Sequence, residues 1–91
     1  MTIVIMRLYL GGKMADETSV QLGVGAREAI GDVGEYHGEM ARCATEEGLP
    51  WMVEIVFPDG EHVRWGTDSD GMVEPMPVTQ LAELLKRYLS P

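Results

Sequence analysis

Along Thr2 to Leu10 the apolar residues fall on both sides of a period-two pattern. Val4, Met6, Leu8 and Leu10 share one face; Ile3, Ile5 and Tyr9 share the other, where Arg7 interrupts them. This predicts a strand. Apolar character on both sides predicts either a central strand covered on each face or one with a face hidden in an interface. Gly11 to Thr18, with Gly-Gly, Lys13, Asp16 and Glu17, reads as a polar connection. Ser19 to Gly25 alternates again, with Val20, Leu22 and Val24 pointing one way, and predicts a weaker strand hairpinned to the first.

From Ala26 to Glu47 the period changes. At about 100° per residue, Ile30, Val33, His37, Met40, Ala41 and Ala44 cluster on the side of Ala26, and Glu28, Asp32, Glu35, Glu39 and Glu46 fall opposite, with Arg42 beside them. Gly31, Gly34 and Gly38 form a strip between the two faces. Interior glycines cost a helix about 1 kcal/mol each relative to alanine. Either another backbone packs along that strip or the helix breaks near Gly31 to Gly34, and a continuous or gently bent helix is the favoured reading. Gly48 ends it and Pro50 prevents its resumption.

Trp51 to Gly66 carries a hairpin with its turn written out. Pro58 presets φ at the first corner, Asp59 can bond its own backbone, and Gly60 takes the left-handed conformation that closes a three-residue loop. Phe57 then faces Glu61, and Ile55–Val63, Val53–Trp65 and Glu54–Arg64 follow as pairs. Trp51, Val53, Ile55, Phe57, Val63 and Trp65 share one apolar face; His62, opposite Val56, and the Glu54–Arg64 pair lie on the other. Thr67 to Gly71 reads as a loop, Met72 to Met76 as a short strand held at a sheet edge by Pro75, and Thr79 as the cap of a final helix of about ten residues. Leu81, Leu84, Leu85 and Tyr88 form that helix's buried stripe, with Lys86 and Arg87 in its last turn. The expectation is a single domain over residues 1–91, an α+β fold of order β-β-α-β-β-β-α with two helices on a small antiparallel sheet of four to five strands.

Composition narrows the function classes. Seven basic against 15 acidic residues give a formal charge of −8, which repels nucleic-acid phosphates. The single cysteine, Cys43, excludes an internal disulfide and a multi-cysteine metal site. No secretory signal or membrane-length apolar run is visible, so a cytoplasmic setting without membrane contact is expected.

The candidate chemistry is thin. Gly23-Val24-Gly25-Ala26-Arg27-Glu28 puts Glu28 where a dinucleotide fingerprint needs its third glycine, and Gly11-Gly12-Lys13 lacks the rest of a phosphate loop. Aligning Asp68-Ser69-Asp70-Gly71 with a calcium loop leaves Gly66 and Pro77 at the first and last ligand positions, where carboxylates belong. His37 reads as a core histidine satisfied by one carbonyl. Cys43, about 240° further round the helix, cannot pair with it as nucleophile and base. No catalytic residue, metal site or cofactor is expected.

What remains is surface. The carboxylate stripe Glu28, Asp32, Glu35, Glu39 and Glu46 with Arg42, together with Trp51 and Met52 as apolar anchors, is expected to dock on another protein with a basic surface. Val56 and Met76 are further candidates for the anchor. The expected function is a small non-enzymatic interaction module, a regulator or inhibitor of the phage or immunity type. A homodimer through close helix approach at the glycine strip is a further expectation. Two alternatives stand beside it. One is an acidic nucleic-acid mimic that adds Asp59, Glu61, Asp68, Asp70 and Glu74 to the stripe. The other is a small-molecule-binding domain with a pocket near His37.

Overall fold

The computed structural model describes residues 2–67 and 72–89; the acidic loop Asp68 to Gly71, with the calcium-loop alignment, lies outside the described residues. The elements follow the order β1 (Ile3–Leu10), β2 (Lys13–Gln21), α1 (Ala26–Glu46), β3 (Trp51–Val56), β4 (His62–Thr67), β5 (Val73–Glu74) and α2 (Val78–Leu89). The strands form one antiparallel sheet in the order β2-β1-β3-β4-β5. The fold is α+β, with the predicted order.

The alternation of β1 sorts its neighbours onto two faces. Val4, Met6 and Leu8 point inward beside Val20 of β2 and Ile55 and Val53 of β3, and with Phe57 and Val63 they are almost completely buried. α1 contributes Ala26 and Ile30 to this core and α2 contributes Leu84, with Val33, Leu81, Leu85, Tyr88 and Leu89 packed around it. Both helices thus cover the same face. Among the described residues no element covers the other, so cover of β1 on both faces does not hold within this chain.

β2 departs from expectation. It begins at Lys13, not Ser19, because Gly11 (φ +59) and Gly12 (φ +82) make a two-residue turn that reverses the chain at once. The segment read as a polar connection is an edge strand, and its polarity suits its exposure. Leu8 pairs with Asp16 but Tyr9 pairs with Met14, leaving Ala15 as a bulge. That extra residue lets Asp16 point inward while Met14 points outward. The strand stops at Gln21, so Val24 is fully exposed in the turn before α1 instead of continuing an apolar row.

α1 runs unbroken through all three glycines. It closes at Gly48 (φ +74), where the Leu49 N–H donates to the Ala44 carbonyl at 2.8 Å and the Gly48 N–H to the Thr45 carbonyl at 3.1 Å, satisfying two terminal acceptors. The expected reason for the glycines does not hold within this chain. A Cβ at Gly31 or Gly38 would meet nothing within 4 Å, and one at Gly34 would make only ordinary contact with Met6 Cε at 3.9 Å.

The β3–β4 hairpin follows the predicted register throughout. Gly60 N–H donates to the Phe57 carbonyl at 2.9 Å, Phe57 N–H to the Glu61 carbonyl at 2.8 Å, and Glu61 N–H to Asp59 Oδ1 at 2.9 Å. Gly60 sits at φ +92 with open space around it, so a side chain there meets no clash, only backbone strain. Gly60→Val should therefore lower unfolding stability by about 1–2 kcal/mol, read from the denaturant midpoint. An unchanged midpoint would mean that the loop relaxes into another turn.

α2 is tied down at its end. Tyr88 stacks on Phe57 with ring centroids 5.5 Å apart, and Arg87 donates to Glu61 at 2.7 Å and lies 3.7 Å from Asp59. The Tyr88 hydroxyl and the Glu61 N–H both stabilise the Asp59 carboxylate and hold its pKa below the ordinary value. Thr79 is not the cap. Leu81 N–H bonds the Pro77 carbonyl, which places Thr79 inside the first turn. Proline suits the start of a helix because the first turn needs no donor there.

Candidate functional site

The helical period of α1 carries its carboxylates to the solvent side, where Glu28, Asp32, Glu35, Glu39 and Glu46 are all exposed. Two of them are tied up. Arg42 donates to Glu39 and to Glu46, each at 2.7 Å, and these carboxylates, Glu39 foremost, push its pKa above the usual arginine value. Glu28, Asp32 and Glu35 make no ion pair among the described residues. The stripe is therefore free at its N-terminal half and self-neutralised at its C-terminal half.

Beside it lies a groove of about 350 Å³. α1 supplies one wall with Gly34, Gly38, Ala41, Arg42 and Thr45, the inner sheet face supplies Trp51, Val53 and Trp65, and Met76 closes the far side. The groove exists because the glycines leave the side of α1 bare and α2 covers a different part of the sheet. Its tryptophan is pinned: Trp51 Nε1–H donates to Thr45 Oγ1 at 2.9 Å, and Thr45 in turn donates to the Ala41 carbonyl at 3.0 Å. Met76 is 44 % exposed at the rim.

Between α1 and β2 lies a buried polar cluster. His37 has no exposed surface, and its Nε2 is 2.7 Å from Asp16 Oδ2, which also accepts from Thr18 Oγ1 at 3.0 Å. The carboxylate fixes the tautomer with the hydrogen on Nε2. His37, and secondarily Thr18, hold the Asp16 pKa below its ordinary value. His37 Nδ1 is buried without a partner. The order of bonds is wrong for nucleophilic catalysis. Thr18 donates to the carboxylate and not to the imidazole, so the imidazole is not placed as base to that hydroxyl. His37 forms no wall of the groove, and an enclosed ring lends no support to a ligand pocket beside it.

The uncovered sheet face carries a row of charges across four strands. Glu17 of β2, Arg7 of β1, Glu54 of β3 and Arg64 of β4 stand side by side in register. Arg7 donates to Glu17 at 2.7 Å and to Glu54 at 3.1 Å, and Arg64 donates to Glu54 at 2.7 Å. Glu17 first, then Glu54, raise the Arg7 pKa above its usual value. Glu54 is only 8 % exposed although it lies on an open face, because the two guanidiniums cover it.

The expected partner-binding residues are thus divided. Glu28, Asp32, Glu35, Glu39 and Glu46 share the solvent side of α1, and Arg42 and Trp51 join them at the groove. Met52, paired with Tyr9 and Gly66, belongs to the opposite sheet face and is not brought to the same surface. Val56 is on that opposite face as well. Of the carboxylates needed by a nucleic-acid mimic, Asp59 and Glu61 are engaged by Arg87 at the hairpin loop, and Asp68 and Asp70 are outside the described residues. Among the described residues no three His, Cys, Asp or Glu side chains converge as a metal ion requires. No helix among them is long and apolar enough to cross a membrane. No protein-family model, curated protein or solved structure matches this chain.

Proposed function

We propose that this chain is a small, non-enzymatic interaction module of the cytoplasm, a regulator or inhibitor that seats a basic, amphipathic segment of a partner protein against α1. One observation carries the reading. Three glycines lie in an unbroken helix, where each costs about 1 kcal/mol, and nothing in the chain uses the space they leave. At Gly34 and Gly38 that space is instead a wall of the Trp51–Trp65 groove, next to the carboxylates of α1. An apolar side chain of the partner would fill the groove, and Lys or Arg flanking it would meet Glu35 and the Arg42-linked Glu39. Such charges contribute orientation and encounter rate more than affinity. Burial in the groove would supply the affinity, near tryptophans of the kind that dominate interface energetics.

Filling the groove separates this role from folding. Gly38→Leu should keep or raise stability, by up to about 1 kcal/mol from helix propensity, while occupying the partner's place. The check is affinity capture from the native host with wild type, Gly38→Leu and Glu35→Gln, alongside thermal unfolding of each. A protein held by wild type should be lost with Gly38→Leu and held more weakly, with less sensitivity to salt, by Glu35→Gln. Equal capture by all three would end this assignment of the groove.

A further inference from the structure

The open face of the sheet is self-complementary in charge. Its charge row reads Glu17, Arg7, Glu54, Arg64 from β2 to β4, so the signs alternate and the ends are opposite. A two-fold axis parallel to the strands, passing between β1 and β3, exchanges Arg7 with Glu54 and Glu17 with Arg64. A second copy laid face to face about that axis would set a guanidinium opposite every carboxylate. An axis along the row would set each charge against itself. We propose that this face is the interface of a homodimer, two copies packing sheet to sheet about a two-fold axis parallel to the strands.

The surroundings of the row fit the same operator. On one side Ile3, Ile5 and Val56 form an apolar patch, with Ile5 directly paired to Val56. On the other, Tyr9 stands between Met14 and Met52. An axis parallel to the strands brings each patch onto its own copy, so apolar meets apolar on both sides of the charges. Aligned sheets pack about 10 Å apart and about 30° from parallel. Long Arg and Glu side chains near the axis tolerate that offset.

Burying ions is normally expensive. Here the central carboxylate, Glu54, is already withdrawn from water by two arginines, so docking removes little further hydration from it. Four strands at about 4.8 Å spacing and six residues at about 3.3 Å rise give a flat projection of roughly 400 Å². Side-chain relief raises this toward the ~600 Å² per partner at the lower bound of specific interfaces. The dimer is accordingly a dissociating one. It leaves α1 and the groove outward on both copies, which makes the assembly bivalent.

Charge exchange tests the operator directly, with sedimentation equilibrium over a concentration series as the readout. Wild type should move from one chain to two as concentration rises. Glu17→Arg and Arg64→Glu each place like charges opposite one another twice, and each should weaken self-association by at least roughly tenfold. An equimolar mixture of the two restores every opposite pair and should recover association to within about threefold of wild type. Ile5→Lys keeps the row but buries a charge against the apolar Val56 of the second copy, and should also be monomeric. Circular dichroism confirms that each variant is folded; Glu17 and Arg64 are 45 % and 53 % exposed, so neither change opens the core. A wild type that is monomeric throughout overturns the proposal. So does a dimer indifferent to both charge changes and to Ile5→Lys, or one that mixing fails to restore.

Discussion

Gly66→Ala should lower stability by about 3 kcal/mol or more, the largest loss expected from removing or adding so few atoms anywhere in this chain. Two penalties combine. Gly66 is held at φ +143, a conformation that residues with a side chain rarely adopt, and strain of that kind costs about 1–3 kcal/mol. A Cβ there would also collide with the backbone of β3, namely the Trp51 carbonyl oxygen and the Met52 Cα at 2.8 Å. Backbone cannot rotate aside as a side chain can, so the clash must be relieved by parting β3 from β4 at that end, and over-packing adds roughly 1–3 kcal/mol. The strand pairing reaches Met52–Gly66, and Thr67 Oγ1 then accepts from the Trp51 N–H at 3.3 Å, so the same parting would also disturb the floor of the groove. Denaturant unfolding of Gly66→Ala and Gly60→Ala side by side makes the comparison. Both positions need positive φ, but only Gly66 also lacks space, and equal losses would mean that the close approach is not present in solution.

The contrast between those two glycines shows what was legible in the sequence. Gly60 was readable because its role is local: Pro58, Asp59 and Gly60 define the turn without reference to anything distant. The whole β3–β4 register followed from that loop, including the Glu54–Arg64 pair. Gly66 closes the same hairpin at its open end, but its necessity comes from a neighbouring strand's backbone, which leaves no mark in nearby residues. Arg7 is a similar case. Its place on the far side of β1 was visible, yet its bonds to Glu17 and Glu54 depend on how β1 aligns with β2 and β3, and the two glycines that set the first alignment were read as a loose connection. β2 was cut short because an edge strand with one wet face and a bulge at Ala15 shows little hydrophobic alternation.

The candidate site divides in the same way. The carboxylate stripe and its separation from the Ile30–His37–Ala44 side followed from helical period alone, and so did the glycine strip. What the strip faces did not follow, since the groove arises from where α2 and the chain around Met76 come to rest. The apolar residues on both sides of β1 are compatible with cover on each face or with one face hidden in an interface. Choosing between them required knowing that both helices lie on the same side. Trp51 and Met52, adjacent in sequence, point to opposite faces by the period of two, and grouping them as one anchor set that rule aside.

Asp16→Ala should cost about 2 kcal/mol, because it strands a donor that has nowhere else to go. His37 is wholly enclosed, its Nε2–H aimed at Asp16, and an unsatisfied buried donor costs roughly 1–3 kcal/mol. His37→Leu should be much milder, within about 1 kcal/mol, since it removes that donor together with the partnerless Nδ1 and leaves Asp16 bonded to Thr18 and partly in water. The double variant should recover most of the loss caused by Asp16→Ala alone. The acid side adds a second signature. His37 lowers the Asp16 pKa in the folded chain, so its carboxylate stabilises the fold above the unfolded value, about 3.9. That contribution fades as pH falls from there through the folded value. The gap in stability between wild type and Asp16→Ala should therefore be constant near neutrality and narrow below about pH 4. A gap that persists unchanged into acid, or a His37→Leu variant as damaged as Asp16→Ala, would mean that the carboxylate is not what holds the imidazole in place.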